Sequence, residues 1–208
     1  MFSFKFIITL TSLFVLFFFI IPLLKKFIKT NTINKKIAKL FDYFMLFRPT
    51  LFFSVWVMVC IGMYISSKIN GNVQINILTY DNATIALYTG ISLVCGSCFI
   101  LNQISDVQSD KINKKIFLLN EIIKTDKAIL MSRISAISGF LIIVVTDFVV
   151  LCPSILIYLF WGVLYNDKNF EWKSNPWLGL LANILCGYFL LLSGVLFNRS
   201  DNNEIIHL

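Results

Sequence analysis

The sequence predicts an all-α protein, a polytopic bundle of about six transmembrane helices. Hydrophobic residues make up 58% of the 208 residues and charged residues only 14%, and the mean hydropathy is +0.81. A water-soluble domain of this size could not bury so much apolar surface. The apolar residues also cluster in six runs, most of them close to the ~20 residues that a helix needs to cross a membrane. These runs are Phe6–Leu24, Thr50–Ile65, Ala83–Leu101, Ala128–Thr146, Phe148–Tyr165 and Pro176–Phe197.

The first run predicts an N-terminal transmembrane anchor over residues 1–30. Lys5 precedes the run, as in a secretory signal peptide, but the end of the run, Ile20–Lys26, offers no small-residue cleavage site. We therefore expect an anchor that is not cleaved.

Residues 31–49 are basic and partly amphipathic, which predicts a cytoplasmic interfacial helix. The apolar residues of this segment recur at roughly helical spacing: Ile33, Ile37, Leu40, Phe41 and Phe44. The segment ends at Arg48 and Pro49, where proline opens the next span.

Residues 50–197 hold the remaining five runs and form the predicted helical bundle, and residues 198–208 form a polar tail. The join at Thr146 and Asp147 is so short that the runs on either side of it should form a tight hairpin. The four residues from Cys95 to Cys98 are all small, which predicts a face for close helix contact. We interpret these cysteines as packing residues.

The basic residues are distributed as in a membrane protein, so the net charge of +7 does not indicate a nucleic-acid partner. Fifteen of the eighteen Lys and Arg residues lie on one predicted side of the membrane. The other side holds only Lys5, Lys68 and Arg199. The positive-inside rule then predicts a multi-pass protein of the cell (inner) membrane, with its N-terminus outside and residues 102–127 as a cytoplasmic loop.

A row of oxygen-bearing side chains follows the run that ends at Leu101. Asn102, Asp106 and Asp110 are spaced i, i+4 and i+8, so on a helix they share one face with ~6 Å of rise between neighbours. Hard oxygen ligands at a membrane edge are suited to Mg²⁺ that carries a phosphorylated ligand. An ordinary solvated segment, with weak ion pairs to Lys111, is the alternative interpretation.

With these residues, the chain resembles the UbiA superfamily of intramembrane prenyltransferases, and weakly its homogentisate-type subgroup. The first aspartate motif of that family reads N-[DQ]-x-x-D-x-x-x-D, and this chain fills its fixed positions. Three further matches are the run Lys111–Lys114, which resembles the family's basic-x-Asn-Lys, the Arg-Pro at 48–49, and the stretch from Tyr165 through Lys173 to the Asn-Pro at 175–176. The matching residues run in order over about 44–197.

The resemblance implies transfer of a polyprenyl group from its diphosphate to an aromatic, glycerol-phosphate or other lipid-precursor acceptor. It implies that Asp106 and Asp110 are catalytic and bind Mg²⁺ together with Asn102. The residues implied in substrate binding are Asn102, Lys114, Lys173, Arg48 and Tyr165. An aromatic-lined cavity would shield the allylic cation, and the candidates for its walls are Trp56, Phe99, Tyr158 and Trp161.

The chain departs from the family in two respects that leave a second interpretation open. The family has nine core helices and a second motif, D-x-x-x-D, whereas no such motif follows Asp110 and the match extends over the first five core helices. The family also often has Pro and Arg-Pro after the Asn-Lys that follows its first motif, whereas residues 115–119 of this chain read Lys-Ile-Phe-Leu-Leu. The chain could therefore be a truncated or degenerate relative that binds isoprenoid lipid or a partner subunit without catalysis. A second subunit could also supply the missing motif. A transporter or channel is disfavoured, because the spans contain almost no charged residues.

Overall fold

The computed structural model describes residues 35–69, 82–112 and 123–203, which form helices and the connections between them, with no β-strand in these ranges. The prediction of an all-α fold is confirmed. Six α-helices follow one another: α1 Lys35–Leu46, α2 Phe52–Ile69, α3 Asn82–Ile112, α4 Thr125–Thr146, α5 Leu151–Ile157 and α6 Pro176–Asn203. The predicted anchor over residues 1–30 lies outside the described residues.

Within the described residues, four helical segments are long and apolar enough to cross a membrane: Pro49–Ile69, Asn82–Val107, Thr125–Thr146 and Pro176–Phe197. They correspond to four of the six predicted runs. The fifth run forms a shorter apolar helix, Phe148–Leu164. It consists of one 3₁₀ turn, the two-turn helix α5, and a π-helical stretch from Tyr158 to Leu164. The structure therefore supports an apolar helical bundle, in which the fifth run is helical over nearly its whole predicted length and is shorter than the other four segments.

Helices α3 and α4 pack closely because small residues face each other along their contact. A Cβ atom at Gly139 would lie 2.8 Å from the Gly90 carbonyl oxygen, so neither helix could approach as closely with a larger residue. Further along, the Ser97 and Ser132 hydroxyls lie 2.8 Å apart and both side chains are buried. The predicted small-residue face over 95–98 is confirmed as buried.

Helices α2 and α6 cross at a second pair of glycines. A Cβ atom at Gly62 would overlap the Leu191 carbonyl oxygen, and one at Gly194 would overlap the Val59 carbonyl oxygen. The two backbones thus touch at this point. A cavity lies beside the first halves of both helices, where Met58 of α2 and Gly187 of α6 are among its lining residues.

The connection between α4 and the next helical segment is the tight turn that the short join predicts. Asp147 has extended backbone dihedrals and its carboxylate accepts a hydrogen bond of 2.9 Å from the Val149 backbone N–H. That bond satisfies one of the free N–H groups at the start of the following helix. The two helices can therefore reverse direction within one residue.

Three connections that the sequence assigns to the cytoplasm meet at one end of the bundle. The Gln103 side chain on α3 donates a hydrogen bond of 2.5 Å to the Leu46 carbonyl at the end of α1. Leu46 also belongs to a buried cluster with Ile100 on α3 and with Ile123 and Ala128 at the start of α4. The segment before α6 joins the same end through an ion pair to α3. This arrangement agrees with the predicted alternation of the spans, and it leaves the orientation in the membrane a prediction.

Candidate functional site

The acidic motif belongs to the last turns of α3 and not to a loop after it. The helix continues from Leu101 to Ile112 without a break, so the positions 102, 106 and 110 stack on one face. This corrects the prediction that residues 102–127 form a loop from their first residue, because the polar residues extend the apolar helix beyond the span. The side chain of Asp110 and the whole of Lys114 lie outside the described part of the chain.

Lys173 binds this motif from a distant segment. Its Nζ lies 2.7 Å from Asp106 Oδ1 and 2.6 Å from Ser105 Oγ. The side chains of Lys173 and Asp106 are 18% and 28% exposed, so the pair is partly shielded from water. Lys173 belongs to a 3₁₀ turn, Trp172–Ser174, that follows Glu171 in the left-handed conformation (φ 44°, ψ 43°). This sharp bend directs the segment back towards α3.

Ser105 connects the ion pair to a buried amide. Its hydroxyl donates to the Asn102 carbonyl at 2.9 Å and also lies 3.4 Å from Asn166 Oδ1. Asn166 is buried, and its Nδ2 donates a hydrogen bond of 2.5 Å to the Trp161 carbonyl oxygen. Asn166 therefore ends the π-helical stretch by satisfying a carbonyl that the backbone there leaves free.

A cavity of about 330 Å³ lies beside this network. Its walls come from α2, α3, the π-helical stretch and α6, together with Arg48. The lining residues are Arg48, Leu51, Ser54, Val55, Met58, Cys98, Phe99, Asn102, Trp161, Tyr165, Asn166, Asn183, Gly187 and Leu190. Such a volume lies at the lower end of the ~300–1,000 Å³ typical of small-molecule sites.

The charge of the cavity is positive. Among the described residues that line it, Arg48 is the one charged side chain, and the other polar groups are hydroxyls and amides. Because hydroxyls and amide N–H groups also donate hydrogen bonds, the cavity offers donors and a cation to an anionic group. The apolar remainder of the wall suits the hydrocarbon part of the same ligand.

Arg48 reaches this position through an unfavourable backbone conformation. Its φ of 49° and ψ of 60° lie in the left-handed region, which costs about 1–3 kcal/mol for a residue with a Cβ atom. Hydrogen bonds hold the turn: the Arg48 N–H donates to the Met45 carbonyl at 3.1 Å, and its carbonyl accepts from Leu51 at 2.9 Å. A strained residue in a cavity wall is a common feature of binding sites.

The structure divides the four aromatic residues predicted to line the cavity. Phe99 and Trp161 do so, with ring centroids 5.9 Å apart. Trp56 and Tyr158 face other neighbours: Trp56 donates to the Ser92 hydroxyl at 2.8 Å, and Tyr158 stacks edge-on against Phe140. Of the four candidates, Phe99 and Trp161 thus line this cavity, and Trp56 and Tyr158 are not among its lining residues. The high aromatic content of the sequence, 15%, made the four indistinguishable beforehand.

The predicted site residues fall into two adjacent groups. Arg48, Asn102 and Tyr165 line the cavity, and Asp106 and Lys173 form the ion pair next to it. Sequence reasoning missed Ser105, Asn166 and Asn183. Of these, only Asn183 carries a clear signal, because it is the sole carboxamide residue within the apolar run from Pro176 to Phe197.

The described residues offer a partial set of ligands for Mg²⁺. No group of three His, Cys, Asp or Glu side chains comes together among them. Asp106 and Asn102 provide one carboxylate and one amide oxygen, and helical register puts position 110 on the same face. This set fits Mg²⁺ that takes its remaining ligands from water and substrate phosphates, which is how the ion is usually held.

Fold and site together define an apolar helical bundle, with four described helices that could cross a membrane and a cationic, largely apolar cavity at one end. Comparisons with protein-family models, with curated proteins and with solved structures find no match to this chain.

Proposed function

We propose that the protein is a membrane prenyltransferase of the UbiA type, which binds a polyprenyl diphosphate with Mg²⁺ and transfers the prenyl group to an acceptor. Its place would be the cell membrane, with the N-terminus outside and the acidic motif in the cytoplasm. The acceptor would be an aromatic compound, a glycerol phosphate or another lipid precursor.

The observation that carries this proposal is the contact between Lys173 and Asp106 at the edge of the cavity. A metal-bound diphosphate requires a carboxylate for the metal and a cation for the phosphate oxygens. Asp106 and Lys173 supply one of each, within 2.7 Å. Without ligand, Asp106 and Lys173 neutralise each other. When the metal-bound diphosphate binds, Asp106 would bind the metal and Lys173 would bind the phosphate oxygens.

The exchange is energetically reasonable. Ion pairs that are largely exposed contribute about 0–1 kcal/mol, and this pair, with side chains 18% and 28% exposed, is partly shielded and should contribute somewhat more. Hydrogen bonds to charged groups contribute about 1.5–3 kcal/mol each. A diphosphate that gains several such bonds would therefore outweigh the loss of the Lys173–Asp106 pair.

Magnesium bound with the diphosphate would neutralise charge on the leaving group as the allylic C–O bond breaks. Asp106 would hold the metal with Asn102 and Asp110, and Lys173 and Lys114 would bind phosphate oxygens. Arg48 and Tyr165 would orient the substrates in the cavity. Phe99 and Trp161 would exclude water from the reacting carbon and present their ring faces to the developing cation.

A second candidate function is binding of isoprenoid lipid or of a partner subunit without catalysis. The observation that favours it is the incomplete metal site among the described residues, in which Lys173 already occupies the one described carboxylate of the motif. A second subunit with a D-x-x-x-D motif would supply the missing ligands.

The test is an assay of the detergent-solubilised protein with labelled geranylgeranyl diphosphate, Mg²⁺ and a panel of aromatic and glycerol-phosphate acceptors. We expect a prenylated product that Asp106→Asn abolishes and Asp126→Asn leaves unchanged, since Asp126 is an exposed carboxylate at the start of α4. Binding of the diphosphate without product would favour the second candidate. No binding at all would refute the proposed prenyltransferase and would leave the second candidate only without a diphosphate ligand.

A further inference from the structure

We propose that Asn166 is a positioning residue that couples the Lys173–Asp106 ion pair to Trp161 in the cavity wall. A continuous chain of polar contacts connects the two places. It runs from Lys173 Nζ to Ser105 Oγ (2.6 Å), from Ser105 Oγ to Asn166 Oδ1 (3.4 Å), and from Asn166 Nδ2 to the Trp161 carbonyl (2.5 Å). Its members come from α3, the π-helical stretch and the segment before α6.

Ser105 can respond to the state of Lys173 because a hydroxyl has a single proton and rotates freely. With the lysine in contact, Ser105 Oγ accepts from Nζ and its proton points to the Asn102 carbonyl or to Asn166 Oδ1. When Lys173 leaves, Ser105 loses a charged donor. The hydroxyl then reorients, and the contact with Asn166 changes with it.

Asn166 passes this change to the wall of the cavity because it closes the end of the π-helix. Such helices are rare and often mark functional sites. Here the Tyr165 N–H donates to the Phe160 carbonyl at 3.0 Å, while the Trp161 carbonyl bonds to the Asn166 side chain. A shift of that side chain therefore alters the wide turn that sets the direction of the Trp161 ring.

A movement of the Trp161 ring would change the wall of the cavity, because this ring makes contacts on several sides. Its indole packs against Phe99, lines the cavity and donates a hydrogen bond of 3.0 Å to Asn183 on α6. Asn183 is itself exposed and lines the cavity. The proposed coupling thus connects the Lys173–Asp106 ion pair to the exposed side of the cavity, where Asn183 of α6 lies.

The first experiment needs no ligand and follows Trp161 by ¹⁹F NMR in the full chain labelled with 5-fluorotryptophan. Only four tryptophans are present in the sequence, and Trp161→Phe assigns the signal. We expect Asp106→Asn, which releases Lys173, to shift the Trp161 resonance, whereas Asp126→Asn does not. In a protein that already carries Asn166→Asp, the change that Asp106→Asn causes in the chemical shift of Trp161 should be less than half as large.

Asn166→Asp is the informative change because it keeps an acceptor for Ser105 and removes the donor to the Trp161 carbonyl. Asn169→Asp makes the same chemical change at an exposed position of the adjoining segment, and there the full effect of Asp106→Asn should persist. Ser105→Ala interrupts the chain at another contact and should also reduce the effect. An undiminished shift in both the Asn166→Asp and Ser105→Ala backgrounds, or no shift in the first place, overturns the inference.

The second experiment adds inorganic diphosphate with Mg²⁺, and this arm alone rests on the proposed function. At saturation we expect the Trp161 resonance to move in the wild-type chain and to stay in place in Asn166→Asp. Trp172, which precedes Lys173, should report the binding in both. If no resonance moves while the ligand-free comparison still shows coupling, the proposed function fails and the role of Asn166 stands.

Discussion

Lys173 Nζ lies 2.7 Å from Asp106 Oδ1, although 67 positions separate the two residues in the chain. The pair joins the end of α3 to the segment that leads into α6, and both helices are long and apolar enough to cross a membrane. Because both residues are charged and partly buried at the edge of a cationic cavity, the same contact both holds the segment in place and keeps two ligand-binding groups ready.

Replacement of Lys173 should weaken diphosphate binding much more than folding. We expect Lys173→Met to lower the affinity for Mg²⁺-diphosphate by about 10- to 100-fold, the equivalent of one hydrogen bond to a charged group. The free energy of unfolding should change by only about 1 kcal/mol. Titration calorimetry and denaturation in detergent measure the two quantities.

Lys168→Met is the matched control, because Lys168 is an exposed lysine five positions away in the same segment. Equal loss of affinity in both variants would mean that only the general positive charge of the segment matters, and the assignment of Lys173 would fail.

Both carboxylates of the motif should be required for metal-dependent binding. We expect Asp106→Ala and Asp110→Ala each to abolish Mg²⁺-dependent binding of diphosphate while membrane insertion is unaffected. Removal of the metal with a chelator should reproduce this loss in the unmodified chain, because the phosphate oxygens lose their bridge to the carboxylates. Binding of unmodified strength in both variants would contradict the site.

The crossing of α2 and α6 should tolerate no side chain at Gly194. A Cβ atom there would overlap the Val59 carbonyl oxygen, and a backbone atom cannot rotate away. We expect Gly194→Ala to lower the free energy of unfolding by about 1–3 kcal/mol, the usual cost of overpacking. Thermal unfolding in detergent would measure this loss.

Gly187→Ala, on the same helix, provides the comparison. Its Cβ atom would meet only the Met58 Cε atom, at 3.9 Å, and alanine is the better helix former by about 1 kcal/mol. The Gly187 variant should therefore be as stable as the unmodified chain or more stable. If Gly194→Ala matches it, then the helices do not touch at this crossing.

The sequence predicted the features that depend on one helix alone, namely the positions of the apolar helices and the face on which the acidic motif lies. Hydropathy located the four long apolar helices, and the i, i+4 spacing put Asn102 and Asp106 on one face. Contacts between segments were harder, because nothing local to Lys173 identifies Asp106 as its partner. The resemblance named Lys173 as a phosphate ligand, and its ion pair came only from the structure.

Two other features escaped sequence reasoning for physical reasons. The π-helical stretch from Tyr158 to Leu164 has the composition of any apolar helix, and its wider turns depend on the Asn166 side chain that ends it. The left-handed backbone of Arg48 is also unexpected, since that conformation favours glycine. Here the turn between α1 and α2 imposes it.

The charge and the backbone conformation of Arg48 can be tested separately. Arg48→Gly removes the cation and suits the left-handed conformation, whereas Arg48→Ala removes the cation and keeps the strain. We expect the glycine variant to be more stable than the alanine variant by about 1 kcal/mol, with both losing affinity for an anionic prenyl ligand. Glu171→Gly is the control, because Glu171 has a similar φ of 44° and does not line the cavity. The Glu171→Gly variant should gain stability and bind the ligand normally.

The outcome that would contradict this role is an Arg48→Gly variant that binds the prenyl ligand as tightly as the unmodified chain. Arg48 would then only form the turn between α1 and α2, and the positive charge of the cavity would be irrelevant to its ligand.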